Sequence, residues 1–265
     1  MPAAKPALGV GSIFGESFSL YFRNFVPMSL VCLVPVLLSN VLSLLVVGVP
    51  DPQQLAGDPN DPFAYYTENG LGMIITTVFG IAVWGFIAAA MTSMAYDAKL
   101  GNPVSFGKGF SAGLSNIVMV ALCVLIVYIC FALGLVLLIV PGLLIAAMWF
   151  VVVPAIVVER TGFGSLGRSA RLTKEYRWPL IGLLVLFLLV AIVVGMVIGL
   201  VSGLLVFGAA SSGSIGSGFI LTMVFNGVVS ILMYGVSGAM VALVYARLVE
   251  IKEGTGISSL ADVFS

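Results

Sequence analysis

Histidine is absent from this chain of 265 residues. That removes the commonest general base and the commonest metal ligand together. Charge is scarce as well: Asp, Glu, Lys and Arg make up 8% of the residues, and eleven acids balance eleven bases. No bulk attraction toward nucleic acid follows from that balance. Cysteine is limited to Cys32, Cys123 and Cys130, each inside an apolar stretch, with no CxxC, zinc or disulfide spacing. Cys123 and Cys130 share a helix face, where small apolar packing accounts for them. Walker, GxSxG, HExxH and paired-carboxylate arrangements are lacking, and the Gly-rich stretch 208–218 reads as a connection between spans. No enzyme activity, no metal and no cofactor is expected. The first 25 residues lack the apolar core of a cleavable signal, and the length suits a single membrane domain without a separate catalytic one.

What the chain has in abundance is apolar surface, with 61% hydrophobic residues and a mean hydropathy of +1.22. This lies far outside the range of a soluble domain. A bilayer crossing takes about 20 helical residues, and six such stretches are legible, at about 26–49, 71–96, 114–140, 143–158, 179–207 and 218–246. Leu114 to Val158 carries no charged side chain and is too long for one crossing. Pro141-Gly142 inside it is expected to turn a tight hairpin. A Pro-kinked single helix is the alternative, but it would scatter the basic residues. With six spans, Lys5, Arg23, Lys99, Lys108, the five basics of 160–177, Arg247 and Lys252 share one side. The positive-inside rule makes that side the cytoplasm and puts both termini there. The opposite segment 50–70 carries Asp51, Asp58, Asp61 and Glu68 and no basic residue. Its order does not match a calcium loop, and it reads as a solvated connection with Phe63, Tyr65 and Tyr66 at the interface.

A threefold pattern runs through the chain. Displaced by 152, Gly15, Ser17, Leu20 and Pro27 meet Gly167, Ser169, Leu172 and Pro179; displaced by 92, Phe14, Gly15, Phe18, Ser19, Asn24 and Val26 meet Phe106, Gly107, Phe110, Ser111, Asn116 and Val118. The units run from about 12–98, 104–159 and 163–250, each a short cytoplasmic-side amphipathic helix followed by a helical hairpin. In the first, Phe14, Phe18, Tyr21, Phe22 and Phe25 form an aromatic stripe that is expected to face acyl chains. In the third, Phe163, Leu166 and Ala170 share one face while Arg168, Arg171 and Lys174 cover another, and Arg177-Trp178-Pro179 marks re-entry. Each basic residue beside an anionic leaflet contributes about 1 kcal/mol. Arg168, Arg171, Lys174 and Arg177 are therefore candidates for lipid headgroups; their bland reading is a topology signal alone.

No charged residue falls in the core of a span; Asp97, Glu159 and Arg247 stand at span ends. Intramembrane charge marks proton relays and ion coupling, so a coupled transporter is disfavoured. The remaining polar positions are Asn40, Thr76, Thr77, Thr92, Ser93, Tyr128, Ser202, Asn226 and Tyr234. Interhelical hydrogen bonds account for most of them, and a shared polar path is the alternative. Gly195, Gly199 and Gly203 form GxxxGxxxG in the fifth span, a face built for close helix packing. Its partner is either the sixth span or a second copy of the chain.

Three segments carry a resemblance: Leu138-Ile139-Val140-Pro141-Gly142 leading to Trp149 and Pro154-Ala155-Ile156-Val157-Val158-Glu159; Ser169-Ala170-Arg171-Leu172-Thr173 before Trp178; and Tyr245-Ala246-Arg247-Leu248-Val249 with Lys252-Glu253-Gly254. Together the chain resembles the bacterial six-span family named for the membrane domain of glycerophosphoryl diester phosphodiesterases. The resemblance implies an all-α, six-span fold and no hydrolase, because the catalytic domain of the fused relatives has no counterpart here. The expectation is a non-catalytic membrane protein engaging lipid or a membrane-protein partner, with envelope maintenance as its setting. A transporter or lipid-moving protein is the alternative, and an intramembrane enzyme a remote one.

Overall fold

The computed structural model describes residues 8–48, 64–211 and 215–254, and among them there is no strand. The helices are α1 (Val10–Arg23), α2 (Phe25–Val46), α3 (Ala64–Lys99), α4 (Phe106–Leu137), α5 (Ile139–Met148), α6 (Val152–Glu159), α7 (Gly164–Thr173), α8 (Arg177–Ser211) and α9 (Ile215–Glu253). Six stretches are long and apolar enough to cross a bilayer: α2, α3, α4, α5 with α6, α8 and α9. The chain is an all-α multi-pass membrane protein. Asp51, Asp58, Asp61, Phe63 and Lys5 lie outside the described residues. Glu68 belongs to α3, which begins at Ala64, earlier than the sequence pattern places it.

Four prolines explain where helices begin. Pro27, Pro141, Pro154 and Pro179 each occupy the third residue of their helix, in α2, α5, α6 and α8. The first four N–H groups of a helix have no internal partner, so a proline there forfeits nothing. Its ring nevertheless clashes with the carbonyl four residues earlier, so the preceding helix cannot run through.

Two consequences differ from the sequence reading. The turn between α4 and α5 pivots on Leu138, which is extended at φ −167°, ψ 151°. Pro141-Gly142 lies in the first turn of α5 instead, and a side chain at Gly142 would strike Leu135 while one at Gly134 would strike Gly142. The pair therefore sets how closely the hairpin closes. Pro154 breaks the fourth span at 149–151, about halfway along, into α5 and α6. The carbonyl of Met148 is left without a helical partner by this break. Ser169 Oγ donates to it at 3.0 Å, and Thr173 Oγ1 reaches it at 3.0 Å.

These bonds decide how α7 lies. It runs antiparallel beside α6, with Arg168 against Glu159 at one end and Thr173 against Met148 at the other. Its inward face is Ser165, Ser169, Leu172 and Thr173. Phe163 is exposed, and Leu166 is half-buried against a second apolar cluster. The expected apolar face is thus not the one that governs docking: satisfying a bare carbonyl outweighs it. In α1 the buried set is Ile13, Ser17, Leu20 and Tyr21, which matches the buried set of α7 position for position at the displacement of 152. The corresponding segment of the middle unit runs without a break into α4, capped by Ser105, whose side chain accepts from the Lys108 N–H. There the buried positions are Gly109 and Gly113, against Met94 and Phe86.

The aromatic stripe of α1 divides. Tyr21 is fully buried over Gly235, whereas Phe22 and Phe25 are exposed and Phe14 and Phe18 half-buried. The return helices α3, α6 and α9 pack on one another, and Ala88, Gly238 and Ala239 bring α3 and α9 close, with Met91 seated on Gly238. The core is concentrated toward the end of the bundle that carries the basic residues. At the opposite end Leu45, Leu71, Val136 and Leu204 are exposed, as suits helices whose solvent is hydrocarbon.

Candidate functional site

A cavity of about 530 Å³ lies between the three hairpins. Thr77 and Trp84 of α3, Tyr128 of α4, Trp149 and Phe150 at the break, and Tyr234 of α9 form its wall, with further contributions from α5, α6 and α8. No charged side chain lines it, and its polar groups are the hydroxyls of Thr77, Tyr128 and Tyr234 and the indole N–H groups. Thr77 and Tyr128 are exposed at its rim, so the cavity opens toward the bilayer. The break itself creates part of the wall: a straight fourth span would not turn both Trp149 and Phe150 toward this space. Irregular backbone at membrane depth is tolerated where it is buried in protein or borders a cavity, and both conditions hold here.

The sequence pattern did not single out Trp84 or Phe150, and Trp149 entered it only as part of the resemblance, without a role. The signal that bears on the last two is Pro154, whose ring forbids a helical carbonyl at Phe150. Of the polar residues considered for a shared path, Thr77, Tyr128 and Tyr234 reach this cavity. Asn40 stands beside Gly227, Asn226 donates to Ser202 Oγ at 3.3 Å and to the Thr222 carbonyl at 2.8 Å, and Thr92 donates to its own helix at Ala88. The asparagines knit helices together and do not face a common lumen.

At the basic end, a polar cluster ties four helices. Tyr245 Oη donates to Glu159 Oε1 at 2.7 Å, Arg168 Nε donates to the same oxygen at 2.6 Å, and Arg168 also bonds Glu253 at 2.5 Å. The Tyr96 ring stands 6.5 Å from that of Tyr245. Bonding to Glu253, and then to Glu159, raises the Arg168 guanidinium above its ordinary range, although partial burial works the other way. The cluster is a clamp: its one guanidinium bridges both carboxylates. Glu16 with Lys99 and Asp97 with Lys108 (3.8 Å) form further ion pairs at this end. Among the described residues, no group of three His, Cys, Asp or Glu side chains converges to hold a metal.

The four basic headgroup candidates are not brought together. Arg168 turns inward to the clamp, Arg171 and Lys174 are exposed, and Arg177 is half-buried with its Nε buried and without a hydrogen bond. The glycines of the fifth span are also not where close packing occurs. Gly195, Gly199 and Gly203 are exposed, and no atom lies within 4 Å of where a Cβ would stand. The sixth span turns its own glycines elsewhere, Gly235 toward Tyr21 and Gly238 toward Met91. The GxxxGxxxG face is therefore unpartnered among the described residues.

The fold and cavity define a multi-pass helical membrane protein with a bilayer-facing apolar cavity. Compared with family models, curated proteins and solved structures, the chain matches none.

Proposed function

We propose that this is a non-catalytic protein of the bacterial inner membrane, with both termini in the cytoplasm, that binds lipid by taking an acyl chain into the central cavity. The observation that carries the reading is the cavity's chemistry: about 530 Å³ of apolar space, open to hydrocarbon and walled by all three hairpins. Its volume lies in the range of ligand pockets, about 300–1,000 Å³. Water gains few hydrogen bonds there, whereas an acyl chain matches the wall and is the most abundant apolar molecule at that depth. The resemblance to a phosphodiesterase membrane domain supports a membrane role and adds no hydrolytic one. The concentration of basic residues at one end supports the orientation.

Tryptophan fluorescence tests this directly. In a Trp178→Phe background the remaining tryptophans, Trp84 and Trp149, both line the cavity. A phospholipid brominated along its chain, added to protein in detergent, quenches them. Ala146→Phe, which fills the wall, reduces that quenching. Quenching that is absent, or equal in the filled variant, contradicts the reading.

One observation favours a second reading, movement of lipid across the membrane. The fourth span is discontinuous beside the cavity, and broken spans at binding sites accompany alternating access. Scrambling of a fluorescent lipid by reconstituted protein, abolished in the Ala146→Phe variant, is the result that reading requires.

A further inference from the structure

A second hollow, of about 480 Å³, opens at the basic end where α1 meets α2 and α3 ends. Ser19, Arg23 and Asn24 form one side, and Lys99 with the turn Gly101-Asn102 forms the other. Two cations and one carboxylate face it. The carboxylate, Glu16, pairs with Lys99, whereas Arg23 is exposed and makes no ion pair among the described residues. The backbone N–H groups of Gly101 and Asn102 are engaged by the Ala98 and Asp97 carbonyls, and the Asn24 amide donates to Leu20. What the hollow presents to a ligand is thus the Arg23 guanidinium, the Lys99 ammonium shared with Glu16, the Ser19 hydroxyl and the exposed Asn102 side chain.

The border of the hollow gives the ligand its class. Phe22 and Phe25, next to Arg23, stack at 6.2 Å with planes 9° apart, and both are exposed where the first span begins. Phe18 extends the stack. A guanidinium and an ammonium beside an aromatic ledge at the end of a span match a molecule that is anionic at one end and hydrocarbon at the other. We propose that this hollow binds the phosphate of an anionic phospholipid, with its chains along the Phe22–Phe25 ledge. The site shares no wall residue with the central cavity, so it stands independently of the reading above. It also moves the headgroup contact from the α7 basics to Arg23 and Lys99.

The test is native mass spectrometry of the full chain in detergent, titrated with dioctanoyl phosphatidylglycerol. Arg23→Gln and Lys99→Gln each weaken binding by about tenfold, the scale of one charge-assisted hydrogen bond. Glu16→Gln, which releases Lys99 from its carboxylate, tightens binding, a gain that misfolding cannot mimic. Arg23→Lys folds and keeps most of the affinity. Millimolar inorganic phosphate leaves the lipid bound; displacement by phosphate would assign the hollow to a soluble anion and overturn the lipid. Affinity unchanged in both Gln variants of the cations, or lowered by Glu16→Gln, would overturn the site itself.

Discussion

Ser169 Oγ donates to the backbone carbonyl of Met148 across 21 residues of chain, at 3.0 Å. That bond joins a helix that was expected to lie on the membrane surface to the broken middle of a span. Thr173 Oγ1 lies 3.0 Å from the same carbonyl and 2.9 Å from that of Ser169, so its single proton serves two acceptors. α7 is therefore part of the fourth span's hydrogen bonding, and the wall of the central cavity depends on it.

The pair of hydroxyls is redundant, which fixes what mutation does. Ser169→Ala or Thr173→Val alone costs about 0.6 kcal/mol, as each leaves the other donor in place. The double variant strands the Met148 carbonyl and costs about 2–3 kcal/mol, more than the sum of the singles. Thermal melting of the four proteins in one detergent checks this. Small, additive shifts would mean that the carbonyl finds another donor.

The clamp at Arg168 carries a pH signature. Its raised guanidinium stays charged through any ordinary pH, so alkali does not weaken the clamp from that side. In Arg168→Met, Glu159 and Glu253 lose the cation both contact and are left as neighbouring carboxylates. Protonating one of them relieves the repulsion. The melting deficit of Arg168→Met relative to the parent is thus large at neutral pH and shrinks as the pH falls through the ordinary carboxylate range, about pH 4. A deficit that is constant with pH would point to lost packing alone.

Two glycines in adjacent spans should behave oppositely. A side chain at Gly235 would enter the Tyr21 ring, so Gly235→Leu lowers the melting temperature by many degrees, in keeping with overpacking costs of about 1–3 kcal/mol or more. Gly199→Leu points into open space and leaves the monomer's melting temperature unchanged. Should Gly199→Leu dissociate a dimer, its face would be a contact between copies.

Orientation has its own check. A cysteine at Gln54, in the acidic segment outside the described residues, labels with an impermeant thiol reagent added outside intact cells. A cysteine at Lys174, which is exposed at the basic end, labels after the cells are opened. The reverse pattern would invert the topology.

The six crossings were legible because each is a long run of apolar residues between charges, a signal that tertiary packing does not alter. At the displacement of 152 the buried positions of α1 and α7 correspond, Ser17 with Ser169 and Leu20 with Leu172 being identical, while Ile13 and Tyr21 meet Ser165 and Thr173. The break at 149–151 was written in Pro154, but within so apolar a stretch its ring clash was easy to pass over beside the louder Pro141-Gly142. The fifth-span glycines misdirected for the opposite reason: a small-residue stripe specifies that a helix could approach and says nothing of whether one does. The role of Arg168 depends on Glu159 and on Glu253, 85 residues further along, a juxtaposition that no local pattern contains. The cavity is likewise assembled from six helices and the break, each contributing one to four residues.

The most direct test of lipid binding in the central cavity uses a phospholipid carrying a diazirine near the end of its acyl chain, added at about one equivalent to purified protein in detergent. After illumination, peptide mass spectrometry locates the adducts. The account predicts adducts concentrated on the cavity wall at Thr77–Trp84, Val124–Phe131 and Ala146–Val152, and their loss in Ala146→Phe. Adducts confined to the exposed outer faces of α2 and α8, unchanged in the filled variant, would contradict it.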